Sequence, residues 1–411
     1  MSAHSNQPLP LDEALARICA QMGPTGASDT VELGQSLGRV LADSVSAAVA
    51  LPPFDASAMD GYAVAAAPDT DIRGQTFDVI GESAAGHPCV ESVTGNSCVR
   101  IFTGAPVPPG CQRVVLQEDC ERRGEQILIS GSPDPRTNIR PLGDDLPAGA
   151  PLDEPGALID AVRIGRYAAA GVHRLSVHPE PTVGVFATGD ELVEPSTPTD
   201  ELPPGAIYES NRHALIALLD ALPVRVQDLG CLRDDPAAVR AALRTASETC
   251  DVIITSGGVS VGDYDVVRQE VEALGTLDFW RLNLKPGKPL AFGQIDGCWF
   301  FGLPGNPVST LVTWLLIAKP AVMNLCGAPP ASPPRLHATL GAPLAHSPGR
   351  AEYQRGRFAV SGDQIEVVVN GAHGSNRLST FDGANCLIEL HERTGNLEAG
   401  QTVPIIPLSW L

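Results

Sequence analysis

One stretch, Cys250-Asp-Val-Ile-Ile-Thr-Ser-Gly-Gly-Val-Ser-Val-Gly-Asp-Tyr264, constrains the fold of this chain more than any other. Val252, Ile253 and Ile254 form a β-branched apolar run suited to a buried strand, Ser256 to Gly262 are small, and helical apolar spacing resumes at Val266, Val267 and Val271. A strand, a glycine turn and a helix entrance follow in that order. Such a turn leaves backbone N–H groups unpaired, allows close approach of a phosphate, and places it where a helix dipole favours negative charge. Taken alone, the same turn can simply join a strand to a helix. Its neighbours decide which reading holds.

The neighbours repeat the pattern. Strands are expected over 182–187, 224–229 and 252–255, and helices over 211–222, 236–249 and 266–274. This alternation predicts a doubly wound, mostly parallel α/β domain with helices on both faces, which binds ligands beyond the carboxyl ends of its strands.

With 411 residues the chain exceeds a single core, so two to four domains are expected. A formal charge of −20 opposes general binding to nucleic acid or anionic membrane. An anionic ligand therefore needs a local cluster of positive groups. The N-terminus has no signal-peptide pattern, and the longest apolar run, 311–318, is far shorter than the ~20 residues of a spanning helix, which points to the cytoplasm. The ten cysteines and nine histidines show no zinc-type spacing.

Upstream, residues 11–22 have amphipathic helical spacing, and a second short helix is expected over 37–42. Residues 52–64 bring Asp55 and Asp60 into a proline-rich, turn-forming segment. Short strands divided by Gly and Pro turns follow over about 75–142, with Thr103 at a strand end. A helical pattern at 159–171 is expected to join the N-terminal helices. Downstream, the proline-rich 328–334 leads to a separate β domain. The expected domains are 1–51 with 145–180, 52–144, 181–328 and 329–411.

Candidate chemistry lies in the loops of the α/β segment. Glu191, Asp235 and Asp263 would make a hard-cation site for Mg²⁺ beside a nucleotide phosphate, although Asp235 before Pro236 equally fits a helix N-cap. Lys285 and Lys288 are two of only three lysines in a chain that otherwise uses arginine, which suggests a need for compact ammonium groups. Gly302 to Ser309 opens a further helix. In the last segment Arg350, Arg355 and Ser375 have donors suited to a tetrahedral oxyanion, and equally suit a solvated surface.

Together these segments resemble the molybdopterin molybdenumtransferases, the MoeA family, whose animal relative is the E domain of gephyrin. The matching residues are Pro53 to Ala63, Thr103-Gly104-Ala105, Gln117-Glu118-Asp119, Asn138-Ile139-Arg140, Thr188 to Leu192, Thr255 to Ser260, Lys285 to Pro289 and Leu303 to Pro307, in family order over nearly the whole chain. The resemblance implies a four-domain homodimer whose active cleft is completed by the partner subunit. It implies reaction of adenylylated molybdopterin with molybdate, with Mg²⁺ present and AMP released, and contact with other molybdenum-cofactor biosynthesis proteins.

By motif position it assigns Glu191, Asp235 and Asp263 to the metal, and Asp60, Thr103, Asp263, Lys285 and Lys288 to catalysis. Gly189, Ser256, Gly257, Gly258, Val259, Ser260, Pro304, Gly305, Asn306, Arg350, Arg355 and Ser375 would hold the cofactor substrate and molybdate. The choices between Arg350 and Arg355, and between Asp234 and Asp235, stay open. Ala372-His373-Gly374-Ser375-Asn376 departs from the family's usual segment. The alternatives are a pterin-binding scaffold without chemistry, or a tungstate-specific relative.

Overall fold

The computed structural model describes residues 8–24, 26–133, 135–258 and 266–410. The chain divides into two compact units, one of residues 1–29, 38–42 and 177–411, the other of 30–37 and 43–176.

The first unit is built on the apolar run anticipated above. Its elements are α1 (Leu11–Gln21), β1 (Thr182–Thr188), α2 (Asn211–Leu219), β2 (Arg225–Leu232), α3 (Pro236–Ser247), β3 (Val252–Ser256), α4 (Val266–Leu274), β4 (Thr276–Arg281), β5 (Leu284–Lys285), β6 (Pro289–Ile295), β7 (Cys298–Leu303), α5 (Pro307–Thr313) and α6 (Lys319–Leu325). The sheet order is β2-β1-β3-β7-β6-β4. Every residue of β3 is buried, as a central strand covered on both faces requires. β2, β1, β3 and β7 are parallel, whereas β6 pairs antiparallel with β7 and β4 antiparallel with β6, so the sheet is mixed.

Helices cover both faces. Val239, Leu243 and Ala246 of α3 and Val267 and Val271 of α4 pack on Phe186, Ile253 and Phe300. On the other face Leu215 and Leu219 of α2, with Val308, Val312 and Trp314, pack on Val185, Ile254 and Phe301. Burying an aliphatic or aromatic side chain of this size contributes ~1.5–3 kcal/mol. Helix α1 joins this second face through Leu11, Ala14 and Ile18, while the helix Ala161–Ala169 lies in the other unit. These two helices thus fall in different units, while Val45–Ser46 and Leu51 of the N-terminal segment pair with Pro151–Asp153 and Leu146.

From α5 to α6 the helix passes through a π turn, Trp314–Ala318. This run, Pro307–Leu325, is long and apolar enough to cross a membrane, yet 78% of it is buried inside the protein, the pattern of a core helix.

Five strands then close on themselves: β8 (Leu336–Leu340), β9 (Ala351–Ser361), β10 (Gln364–Val369), β11 (Cys386–Leu390) and β12 (Thr402–Pro407) pair in the order β9-β10-β8-β12-β11, and β11 pairs back with β9. The two-residue β5 adds to the edge of β9, joining the α/β part to this barrel-like sheet.

The second unit holds a six-stranded sheet in the order Arg113–Leu116, Gly61–Val64, Ser97–Ile101, Thr76–Ser83, Gln126–Ile129, Cys120–Arg123. Its core contains Tyr62, Phe77, Val115 and Ile127. The short helix expected over 37–42 does not form. A 3-10 turn at Leu33–Gln35 stands before it, and Leu41 bridges to Val177 as extended chain. Gly38, with φ of 78°, explains the break.

Candidate functional site

Strand register brings the loops together. Ala187 is opposite Ser256, and Ser256 is opposite Leu303, so β1, β3 and β7 end level with one another. The next residues, Thr188-Gly189, Gly257-Gly258 and Pro304-Gly305, lie beside a cleft of about 910 Å³. Glycine is needed at 257 and 258, where φ is +96° and +67°. A Cβ on Gly257 would lie 2.8 Å from the Thr188 carbonyl oxygen, and one on Gly258 would lie 2.3 Å from Val267 Cγ2.

The side chain of Asn211, at the start of α2, ties two of these loops. Its Nδ2 donates to Ser256 Oγ at 2.8 Å and to the Gly305 carbonyl at 2.7 Å. Beneath it, buried Glu209 accepts from the Arg212 backbone N–H at 2.7 Å.

One side of the cleft is acidic. Glu191 and Asp234 line it, and the Asp234 N–H donates to Asp190 Oδ1 at 3.3 Å. Burial, and then the neighbouring Asp190 and Glu191 charges, push the Asp234 carboxyl above its ordinary range. Asp235 does not line the cleft. Its carboxylate caps α3, accepting from the N–H groups of Ala237 and Ala238, each at 3.3 Å. Of the two acidic neighbours left open by the sequence, Asp234 therefore faces the cleft and Asp235 serves the helix. Asp263, Val259 and Ser260 lie outside the described residues.

The other side is basic. Lys285 and Lys288 line it from the loop between β5 and β6, and Arg350, Arg355 and Ser375 from the C-terminal β domain. Arg355 is 2% exposed, with Nε donating to Thr380 Oγ1 at 2.9 Å, whereas Arg350 is half-buried and reaches the Leu284 carbonyl at 3.4 Å. The Ser375 loop is held by its carbonyl, which accepts from Val308 N at 3.0 Å. Pro304, Gly305 and Asn306 complete the rim. His373, also in the lining, keeps an exposed surface, yet desolvation by the groups around its ring and then Arg355 push it down to about 4.

Asp60 and Thr103 belong to the second unit. Asp60 Oδ1 accepts from the Thr103 N–H at 2.7 Å and its hydroxyl at 2.8 Å, and these bonds hold the carboxyl below its usual range. Arg100 stacks over Tyr62 and Phe102, 5.1 and 4.7 Å from the ring centroids, and donates to the Gly61 carbonyl at 3.0 Å.

Sequence reasoning missed Asn211, Glu352 and His373. Glu352 stood between the two arginines that drew attention. Asn211 was visible only as the first residue of a helix.

A mixed α/β sheet with glycine turns and both acidic and basic residues around the cleft at its carboxyl edge, followed by a closed β domain, defines a multidomain α/β protein whose cleft lies where such sheets bind ligands. Three family descriptions match the chain: the MoeA N-terminal region (domain I and II) at residues 9–171, a probable molybdopterin binding domain at 184–324, and the MoeA C-terminal region (domain IV) at 337–408. The molybdopterin molybdenumtransferase of Haemophilus influenzae is 38% identical over 98% of this chain and 99% of its own length. Gephyrin of Dictyostelium discoideum is 31% identical over 97% of this chain and 62% of its own. The molybdopterin biosynthesis MoeA protein of Pyrococcus horikoshii has a TM-score of 0.82 at 27% identity, covering 98% of this chain and 100% of its own. The chain belongs to the MoeA family.

Proposed function

We infer that the protein is a molybdopterin molybdenumtransferase, an enzyme that inserts molybdenum into molybdopterin in molybdenum cofactor biosynthesis. The observation that carries this reading is the bipolar cleft, with Glu191 and Asp234 on one wall and Lys285, Lys288 and Arg355 on the other.

In the finer form of the proposal the substrate is adenylylated molybdopterin, the second substrate is molybdate, and AMP is released. The side-chain-free turn at Gly257-Gly258 lets phosphate oxygens approach the strand end, with the Gly258 N–H as donor, since the Gly257 N–H is given to the Leu303 carbonyl. Lys285 and Lys288 offset negative charge as the diphosphate breaks, while Arg355 and Ser375, with Arg350 at the rim, receive the oxyanion. Asp60, Thr103 and Asp263 are retained in the proposal as functional positions.

The acidic wall fits Mg²⁺. Among the described residues no three His, Cys, Asp or Glu side chains form a complete metal site, but Mg²⁺ commonly takes one or two carboxylates and completes its shell with water and phosphate. Burial, and then the Asp190 and Glu191 charges, raise the Asp234 carboxyl, and a cation beside it would offset both. Glu191 and Asp234 would hold the ion, and when bound it supplies charge neutralisation on the diphosphate.

The same reading includes a cytoplasmic homodimer in which the partner subunit completes each cleft, with other cofactor-biosynthesis proteins as delivery partners. Light scattering tests the dimer, and recovery of activity on mixing D60N with K288A subunits tests the sharing.

The central test mixes purified protein with adenylylated molybdopterin, Mg²⁺ and either molybdate or tungstate, and follows AMP and metal-loaded cofactor. Oxyanion-dependent loading with AMP release is expected. AMP and loaded cofactor that do not respond to the oxyanion would overturn the reading.

A further inference from the structure

Strand β5 runs parallel to the start of β9 with Lys285 opposite Glu352. Across this pairing Lys285 Nζ donates to Glu352 Oε2 at 3.1 Å. The partners are unequally buried: the lysine side chain is 50% exposed and the carboxylate 6%. Behind the carboxylate, His346 Nε2 lies 3.6 Å from the same Oε2. His346 Nδ1 is 2.7 Å from the Thr394 carbonyl oxygen. A carbonyl only accepts, so Nδ1 carries the hydrogen and Nε2 is the atom turned towards Glu352. That Nε2 is buried with no hydrogen-bond partner among the described residues. Arg355 and His373 also feel the Glu352 charge, which opposes the lowering that burial imposes on both.

Stability does not account for this arrangement. Desolvating a carboxylate is costly, and an ion pair with a half-exposed lysine returns little. Glu352 also reduces the positive charge of a wall that would otherwise attract an oxyanion more strongly. What it does supply is a fixed direction for one ammonium in a cleft whose chemistry depends on position.

We propose that Glu352 is a positioning residue that holds the Lys285 ammonium at the basic wall of the cleft. The inference rests on the reading that this wall receives molybdate. It separates affinity from turnover. Removing the carboxylate cannot weaken electrostatic attraction for molybdate, but it frees the ammonium that must be in place when the bond breaks.

The test measures molybdate-dependent cofactor loading by the full-length protein as wild type, E352Q, E352D, K285A and K285A/E352Q, with thermal melts of each. For E352Q, kcat is expected to fall about tenfold or more while the KM for molybdate stays the same or drops. E352D should recover part of the loss. In the K285A background E352Q should add no further loss, because the two act as a unit. If E352Q lowers the melting temperature, E352D and the double-mutant comparison decide. An unchanged kcat for E352Q, a raised KM alone, or an equal loss with and without Lys285 would overturn the assignment. Wild-type protein that loads no molybdenum overturns the broader reading as well, which distinguishes the two failures.

Discussion

Asp60 receives two hydrogen bonds from one residue, the backbone N–H of Thr103 at 2.7 Å and its hydroxyl at 2.8 Å. The hydroxyl can be removed without the backbone donor. Thr103→Val should raise the Asp60 carboxyl towards its ordinary range, and Thr103→Ser should not, as read by a carbon-detected NMR titration. Neither should change the melting temperature much, because the carboxylate faces solvent. Asp60→Asn should lower turnover well below Thr103→Val, since it removes the charge and not merely one donor.

Asn211 links the ends of two strands through Ser256 and Gly305. Asn211→Ala removes two hydrogen bonds, each of about 0.5–1.5 kcal/mol. Asn211→Asp should be worse, because a carboxylate oxygen would face the Gly305 carbonyl. Calorimetric titration with AMP should show weaker binding in both variants, in that order. Equal binding by wild type and Asn211→Asp would exclude a role in holding the loops.

Asp234 and Asp235 are adjacent and should respond in opposite ways. Asp234→Asn relieves crowding with Asp190 and Glu191, so the fold should be no less stable, while Mg²⁺ dependence should shift by roughly tenfold or more. Asp235→Ala should cost about 1 kcal/mol through the lost cap and leave Mg²⁺ dependence unchanged, and Asp235→Asn should be nearly silent. Melting curves and a Mg²⁺ titration of turnover separate the two.

His373 keeps an exposed surface, but desolvation within the cleft, Arg355 and Lys285 push its imidazole down to about 4 from 6.5, with Glu352 opposing them. Between these values the unfolded chain binds a proton that the folded chain does not. Stability should therefore fall as the pH is lowered from about 6.5 towards 4, and this group contributes no slope above that window. His373→Gln should flatten the melting temperature across the same range. An unchanged slope would show that other groups govern the acid limb.

Much of the site was legible because its residues occupy local patterns. The β-branched run before Ser256 could only be a buried strand, the following glycines could only be a turn, and two lysines in a chain of arginines stood out. These signals depend on neighbours in sequence, and the strands at 182–188 and 252–256 formed where the periodicity placed them. The short helix at 37–42 failed where the pattern was too brief to outweigh Gly38.

From residue order alone came the α/β alternation, the glycine turns, the unusual lysines and the acidic loops, because each is written in the spacing of adjacent residues. Only the folded chain decided that Asp234 and not Asp235 meets the cleft, that Asn211 joins two loops, and that Glu352 stands behind Lys285. Those relations depend on strand register and on burial, which bring together residues 45, 67 and 94 positions apart. No local pattern encodes a contact at that separation.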